Sequence, residues 1–407
     1  TDLDAEAYKR ATSVYLPDRV NPMLPEKISN ELCSLRPNED KFTFSAIFQI
    51  NDEAHVKQYW LGRTVIHSDK RYAYEDVQTI IDTSEGENVE DILLLHNLAQ
   101  KFRQARFKKG AINFSSQEVR FTLDENAKPI GITVKESKPA HQLIEEFMLL
   151  ANKTVAENIS KIQINKQPLP FPYRIHDQPD PEKLAPFVQY AKKYGHGFDA
   201  SSPEKISASF NQLLEDAKGK PEQHVLEQLG IRTMAKAVYS TQNIGHYGLA
   251  FDFYCHFTSP IRRYPDVLVH RVLQTVLDNK LVVDKKMEEK CKHSSDRERA
   301  AMECERASNK YKQVEFMLDY IGDTFEGVVS GVSSFGFWVE TLAHKCEGLV
   351  SIVGLSEFDD FRHIESDYSL VGKRSGRTFK MGDKVFIKVI AANLDKRQLD
   401  YEWVQVP

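Results

Sequence analysis

Residues 246–266, HYGLAFDFYCHFTSPIRRYPD, gather the side chains in this chain best suited to chemistry. An aromatic-rich run reaches Thr258, Ser259 and Pro260, then two adjacent arginines, Arg262 and Arg263, then an apolar helical pattern through Val267, Leu268, Val269, Val272 and Leu273. Pro260 lacks an amide hydrogen and suits the first turn of a helix, where that donor would be unpaired anyway. Arg262 and Arg263 are then expected in or beside that turn, at the positive end of the helix dipole, where the group they suit is a phosphate. Asp266, four residues beyond Arg262, is spaced to pair with it on one helix face. Asp177 and Asp180 lie in a proline-rich stretch and read as turn or cap residues rather than metal ligands.

These side chains need a frame, and the hydrophobic periods supply one. Residues 2–11 read as a short amphipathic helix with Leu3, Ala7 and Tyr8 on one face. Alternating apolar residues in 41–50 and 56–66 predict antiparallel strands. Residues 89–109 are helical in pattern and end in a basic patch from Lys101 to Lys109. A strand pair is expected over 111–123 and 130–136, turning at Asp124–Asn126, and a helix over 140–160 with a stripe through Leu143, Ile144, Phe147, Leu150 and Val155. Prolines punctuate 166–182, helices follow to about 240, and 285–321 is one long charged helix.

Composition and period change near Gly322. From there five short strands are expected, at 324–332, 336–342, 347–353, 384–393 and 398–405, which suggests a small Greek-key barrel of the OB type. The fold class is therefore α+β: mixed helices and antiparallel strands over residues 1–321, then a five-stranded barrel over 322–407. Phe335 and Phe337 flank Gly336, and spacing of two puts them on one strand face as candidate platforms for unstacked bases.

The net charge of −5 is unexpected for a protein that coats nucleic acid indiscriminately, and it permits a local basic channel inside an acidic shell. No uncharged apolar run reaches about 18 residues, so no membrane span is expected. The five cysteines are odd in number, scattered and never spaced C-x-x-C, which argues for a reducing cytoplasm.

The 246–266 string closely resembles the signature of the RNB-type exoribonucleases, the ribonuclease II and ribonuclease R family. The resemblance extends over nearly the whole chain: ATSVYLP at 11–17 with PMLPE at 22–26, AINF at 111–114, and LIEEFMLLAN at 143–152. Residues 324–339 and 382–385 resemble the RNA-binding barrel first described in ribosomal protein S-one, which follows the catalytic domain in that family. PIRRYPD and the block ERASNKYKQVEFM at 305–317 resemble ribonuclease R more than ribonuclease II. The resemblance implies that Arg262 holds the scissile phosphate and that Tyr15 contacts the base near the scissile bond. It further implies that Phe114 clamps the terminal base from the opposite side and that Glu146 reaches the terminal nucleotide. Read from the residues alone, Phe114 is a strand core residue and Glu146 an exposed helical charge. Arg263 either binds RNA or makes a structural ion pair.

The implied activity is processive 3′–5′ hydrolysis of single-stranded RNA to nucleoside 5′-monophosphates, with Mg2+ as cofactor. No obligate protein partner is indicated. The family's magnesium ligands are an aspartate followed six, eight and nine positions later by others. No position here fits that spacing: the only adjacent pair, Asp359 and Asp360, has Ser351 nine positions before its second member. The expectation is a catalytic domain truncated at its amino end and inactive by itself. The alternative is a non-catalytic RNA-binding protein that keeps the RNB channel.

Overall fold

The computed structural model describes residues 1–114, 118–220 and 222–405. Helix α1 (Asp2–Arg10) starts on Thr1, whose hydroxyl accepts the Asp4 amide at 3.2 Å. It leads into two short paired strands, β1 (Val14–Tyr15) and β2 (Val20–Asn21). Strands β3 (Asp40–Ile50) and β4 (Val56–His67) form the expected antiparallel hairpin. Phe44, Ala46 and Phe48 alternate onto its inner face and rest on the first hydrophobic core. Helices α2 (Tyr74–Thr83) and α3 (Val89–Lys108) precede the hairpin of β5 (Glu118–Leu123) and β6 (Pro129–Lys135).

Strand β5 is shorter than the expected 111–123. Ala111–Phe114 form no strand, because Asn211 ties the Ala111 carbonyl at 2.7 Å and the Asn113 amide at 3.1 Å. Residues 115–117 of that expected strand lie outside the described residues.

Helix α4 (Pro139–Ser160) begins with a proline in its first turn and buries Leu143, Leu149, Val155 and Ile159. Ile144, expected in the buried stripe, is exposed. A small hairpin, β7 (Gln163–Ile164) with β8 (Gln167–Pro168), and then β9 (Tyr173–Ile175) follow. Helices α5 (Pro181–Lys193), α6 (Pro203–Ala217) and α7 (Gln223–Thr233) enclose a second core around Phe187, Phe210 and Leu226. The chain then returns as β10 (Val238–Ser240) to pair with β9. Helix α8 (Tyr264–Leu277) carries Leu268, Val269 and Leu273 into the first core against α4. Its first-turn proline is Pro265, and Pro260 belongs to the turn before it, contrary to the expectation from spacing. Helix α9 (Met287–Met317) runs from the first core to the barrel, where Val314, Phe316 and Met317 are buried. Among the described residues no helix is long and apolar enough to cross a membrane.

The carboxy-terminal region contains β11 (Thr324–Ser333), β12 (Gly336–Thr341), β13 (Glu347–Ser351) and a short helix α10 (Ile352–Leu355). A separate sheet of β14 (Phe361–Ile364), β15 (Ser369–Gly372) and β16 (Thr378–Lys380) comes next, before β17 (Lys384–Asn393) and β18 (Gln398–Val404). The five expected strands close as β11-β12-β13-β18-β17, with parallel pairing of β13 and β18 completing the ring. The three-stranded sheet between the third and fourth barrel strands was not legible in the strand spacing.

Phe335 and Phe337 do not share a face. Phe335 is 54% exposed in the turn before β12, whereas Phe337 is 0% exposed and stacks on Phe379 in the barrel core at 4.6 Å. Alternation holds only within a strand, and Phe335 belongs to the turn that precedes β12, which begins at Gly336. That glycine has φ +144°, and a Cβ there would sit 2.2 Å from the Val350 carbonyl oxygen. Phe337→Ala is expected to destabilise the barrel by about 3–5 kcal/mol, the usual cost of emptying a buried phenyl site. Phe335→Ala should leave its unfolding midpoint nearly unchanged. Denaturant titration of the two variants checks this, and equal midpoints would contradict the burial of Phe337.

Candidate nucleic-acid interface

The loop that presents Arg262 is held by three successive amides. Asn152, buried on α4, accepts the Phe257 amide at 2.9 Å and the Thr258 amide at 3.2 Å through Oδ1. Its Nδ2 donates to the Tyr254 hydroxyl at 3.1 Å. Asp266, 0% exposed, accepts the Ser259 amide at 2.7 Å and grips Arg263 through Nε at 2.8 Å and Nη2 at 2.9 Å. The Asp266 partner is thus Arg263, not Arg262. Helix α8 starts at Tyr264, so Arg262 lies in the preceding turn, where helical spacing does not apply.

Arg263 is thereby committed to an ion pair. Arg262 has an exposed side chain and makes no salt bridge among the described residues. Its backbone is clamped from the other side: its carbonyl accepts the Ser13 amide at 2.9 Å, and the Tyr264 amide donates to the Ala11 carbonyl at 2.9 Å. This pairing brings the 11–17 segment onto the arginine loop. Tyr15 lies two residues further on, 47% exposed, with its amide donating to Glu305 Oε1 on α9 at 2.7 Å. Tyr15 and Arg262 therefore share one neighbourhood although 247 positions separate them.

Glu146 and Phe114 form a second neighbourhood. Glu146 is 3% exposed, not an exposed charge. Arg106 holds it with Nη2 at 2.5 Å and Nε at 3.3 Å, and Arg103 Nη1 lies 3.6 Å away. Arg103 also donates to Asn113 Oδ1 at 3.0 Å, so the network reaches the residue before Phe114. Phe114 is half-buried, edge-on to Phe210 at 5.6 Å, and outside any strand. The beginning of the 246–266 string supports this neighbourhood, because the Gly248 carbonyl accepts the Ile112 amide at 3.1 Å. One contiguous string thus braces both groups, its start under Phe114 and its end beside Tyr15.

Two histidines of the string, His246 and His256, and one outside it, His176, are kept neutral by burial. His176 and His246 stack at 5.0 Å, and His256 Nδ1 lies 2.8 Å from the Tyr239 hydroxyl. Burial, aided by neighbouring His176, pushes His246 down to about 3. Burial, with Arg263 nearby, holds His256 well below the ordinary histidine range.

Several residues with structural parts in the site were not singled out from sequence: Asn152, Arg106, Glu305 and Trp338. Asn152 carried a readable signal, a carboxamide inside an apolar helical run. Trp338 is half-buried on the outward side of β12 and meets Phe335 edge-on at 5.3 Å, so alternation from Phe337 would have found it. Phe335 with Trp338 replaces the expected pair of Phe335 with Phe337.

Among the described residues no group of three or more His, Cys, Asp or Glu side chains is arranged to hold a metal ion. Asp180 caps α5 by accepting the Glu182 amide at 3.0 Å, as its position in the proline-rich stretch suggested.

Two outcomes follow. Asp266→Asn weakens a buried charge pair and should cost about 3–5 kcal/mol of stability; an unchanged urea midpoint would show that Arg263 finds another partner. A histidine held neutral when folded is protonated first in the unfolded chain. Stability is therefore complete above the ordinary value of 6.5 and is lost as pH falls toward about 3. One such histidine contributes a slope of about 1.4 kcal/mol per pH unit in that window. Unfolding measured from pH 7 to pH 4.5 should flatten in His246→Gln, and an identical slope would contradict the assignment.

Comparison with known proteins accords with this arrangement. The RNB domain family model matches residues 1–279, and the S1 RNA binding domain model matches residues 319–402. Ribonuclease R 1 of Lactococcus lactis is 37% identical over 99% of this chain and 50% of its own length. Ribonuclease R of Thermotoga maritima is 39% identical over 99% of this chain and 58% of its own length. The structure of Mycoplasma genitalium RNase R in complex with ribose methylated single-stranded RNA superposes with a TM-score of 0.90 at 28% identity, over 99% of this chain and 64% of that one. The chain thus spans between about half and two thirds of the length of these relatives. With one model covering the two-neighbourhood site and another the barrel, the chain belongs to the RNB family and joins an RNB domain to an S1 RNA binding domain.

Proposed function

We propose that this chain is the RNA-gripping share of a processive 3′–5′ exoribonuclease that shortens single-stranded RNA to nucleoside 5′-monophosphates. One observation carries the reading: Arg262 projects an exposed guanidinium from a loop whose amides are fixed by buried Asn152 and Asp266, beside exposed Tyr15. A preorganised cation of this kind stabilises charge developing on a phosphate without reorganising during the reaction. Its planar fork grips two oxygens at once. Tyr15 offers a flat face with a polar tip to a base near that phosphate. Phe114 offers an edge to the terminal base, and Glu146 acts from within its Arg106 and Arg103 pairs to hold that end in register.

Magnesium is the cofactor this activity calls for, and among the described residues no group of three or more His, Cys, Asp or Glu side chains is arranged to hold it. The same observation favours the second reading, an RNA-binding protein without catalysis. The solved RNase R complex with single-stranded RNA supports the substrate class.

In an enzyme of the relatives' length that carries this chain, Arg262→Lys should lower single-turnover cleavage by a factor on the order of 10²–10³ and leave RNA affinity nearly intact. Tyr15→Ala should change the length of the final product on a 5′-labelled oligonucleotide as well as the rate. Normal turnover in Arg262→Lys would overturn the phosphate role. The 407-residue chain assayed alone should release no mononucleotides. Magnesium-dependent release, with contaminating nucleases excluded, would place the metal ligands inside it.

A further inference from the structure

The barrel has a recess away from Phe335 and Trp338. A cavity of about 580 Å³ opens where β16, β17 and β18 meet, lined by Arg377, Thr378, Asp383, Lys384, Phe386 and Trp403 among others. In the closed order β11-β12-β13-β18-β17, strand β12 is separated from β17 by β11 and from β18 by β13. The recess and the Phe335–Trp338 platform thus lie on different walls of the barrel.

We propose that this recess is a second RNA subsite, which holds one nucleotide of a single strand by its phosphate and base. One of its cations is restrained and the other is left free. The loop from Gly372 to Arg377 is folded around the buried Asp359 carboxylate, which accepts the Ser375 amide at 2.7 Å, the Ser375 hydroxyl at 2.6 Å and the Arg374 amide at 3.2 Å. Arg377, at the end of that loop, holds its guanidinium carbon over the Trp403 ring, 4.5 Å from the centroid, so a cation–π contact restrains it. Lys384 Nζ is 3.5 Å from Glu326, but its side chain is 71% exposed, and a pair so exposed leaves the cation free to exchange partners. Phe386 is 39% exposed on the outward side of β17 and supplies the ring for a base.

Cations and an exposed ring meeting in one recess match a polyanion with flat faces, the combination by which single strands are bound without sequence preference. Asp383 limits the choice of ligand. Its carboxylate accepts the Lys380 amide at 2.7 Å and disfavours a dense phosphate cluster, while remaining able to accept from a base amino group. The inference rests on the RNA-binding reading above and adds a contact face to it.

The test uses the 407-residue chain and a fluorescein-labelled single-stranded RNA of mixed sequence, titrated by anisotropy over a range of salt concentrations. Phe386→Ala should weaken binding about 5- to 150-fold, the range of one lost stacking contact. Lys384→Ala should weaken binding and reduce the slope of log K against log salt by about 0.7, the value for one phosphate on a single strand. Combining Phe386→Ala with Phe335→Ala should multiply the two losses, because the faces are separate. Photocrosslinking with 4-thiouridine RNA should label peptides spanning 378–386 or 403–404 in the unsubstituted chain, which guards against misfolded variants. If Phe335→Ala weakens binding while Phe386→Ala and Lys384→Ala leave affinity and salt slope unchanged and no crosslink forms, the second subsite is wrong and the RNA-binding reading stands. If the unsubstituted chain binds no RNA, both fall.

Discussion

The buried carboxylate of Asp266 is the interaction on which the site depends. It neutralises Arg263, takes the Ser259 amide and sits in the first turn of α8, so one side chain fixes the loop, the helix start and the identity of the free arginine. A carboxylate with no solvent contact is tolerated only when paired and hydrogen-bonded, and the bidentate guanidinium meets that condition. Because Arg263 satisfies Asp266, Arg262 is left outside the pair. Two adjacent arginines thus come to have opposite fates, one structural and one available to a phosphate.

The segments around the loop are tied together by α9. At about 1.5 Å per residue, its 31 residues span roughly 46 Å, and polar side chains along it hold backbone groups from distant parts of the chain. His293 Nε2 meets the Tyr8 carbonyl at 2.8 Å, Ser295 accepts the Tyr239 amide at 2.9 Å, and Glu305 accepts the Tyr15 amide at 2.7 Å. Near its carboxyl end Lys310 and Gln313 donate to the Glu347 and Lys345 carbonyls, and the apolar last turn enters the barrel core. The charged composition that marks it as a long helix thus also bolts the RNB core to the barrel through backbone groups that would otherwise need water.

Charge is distributed with the same economy. The chain is acidic overall, at −5, and its arginines and lysines divide between committed ion pairs and exposed side chains. Arg106 is committed to Glu146 and Arg263 to Asp266, while Arg262 and Lys384 keep exposed side chains. The histidines behind the site add no charge near neutral pH, because burial favours their neutral form. An acidic shell with local cations disfavours indiscriminate coating of nucleic acid and leaves the basic surface to a few contacts.

The sequence by itself determined what is local and periodic. Alternation placed the β3–β4 hairpin and the five barrel strands within a residue or two, the 3.6-residue period placed α3, α4 and α9, and the 246–266 string marked the site with its family. Tertiary structure alone decided which side chain faces what. Glu146 looked like a surface charge because helical periodicity says nothing of Arg106, which approaches from another helix 40 residues away. Phe337 looked like a partner of Phe335 because a spacing of two does not reveal that Phe335 sits in the turn before the strand. Pro260 fits a helix start as well as Pro265 does, and the choice fell to Asp266, whose grip on Arg263 sets where the helix begins. In each case the residue's type was legible and its partner was not. A partner distant in the chain is selected by packing, and packing leaves no period in the sequence.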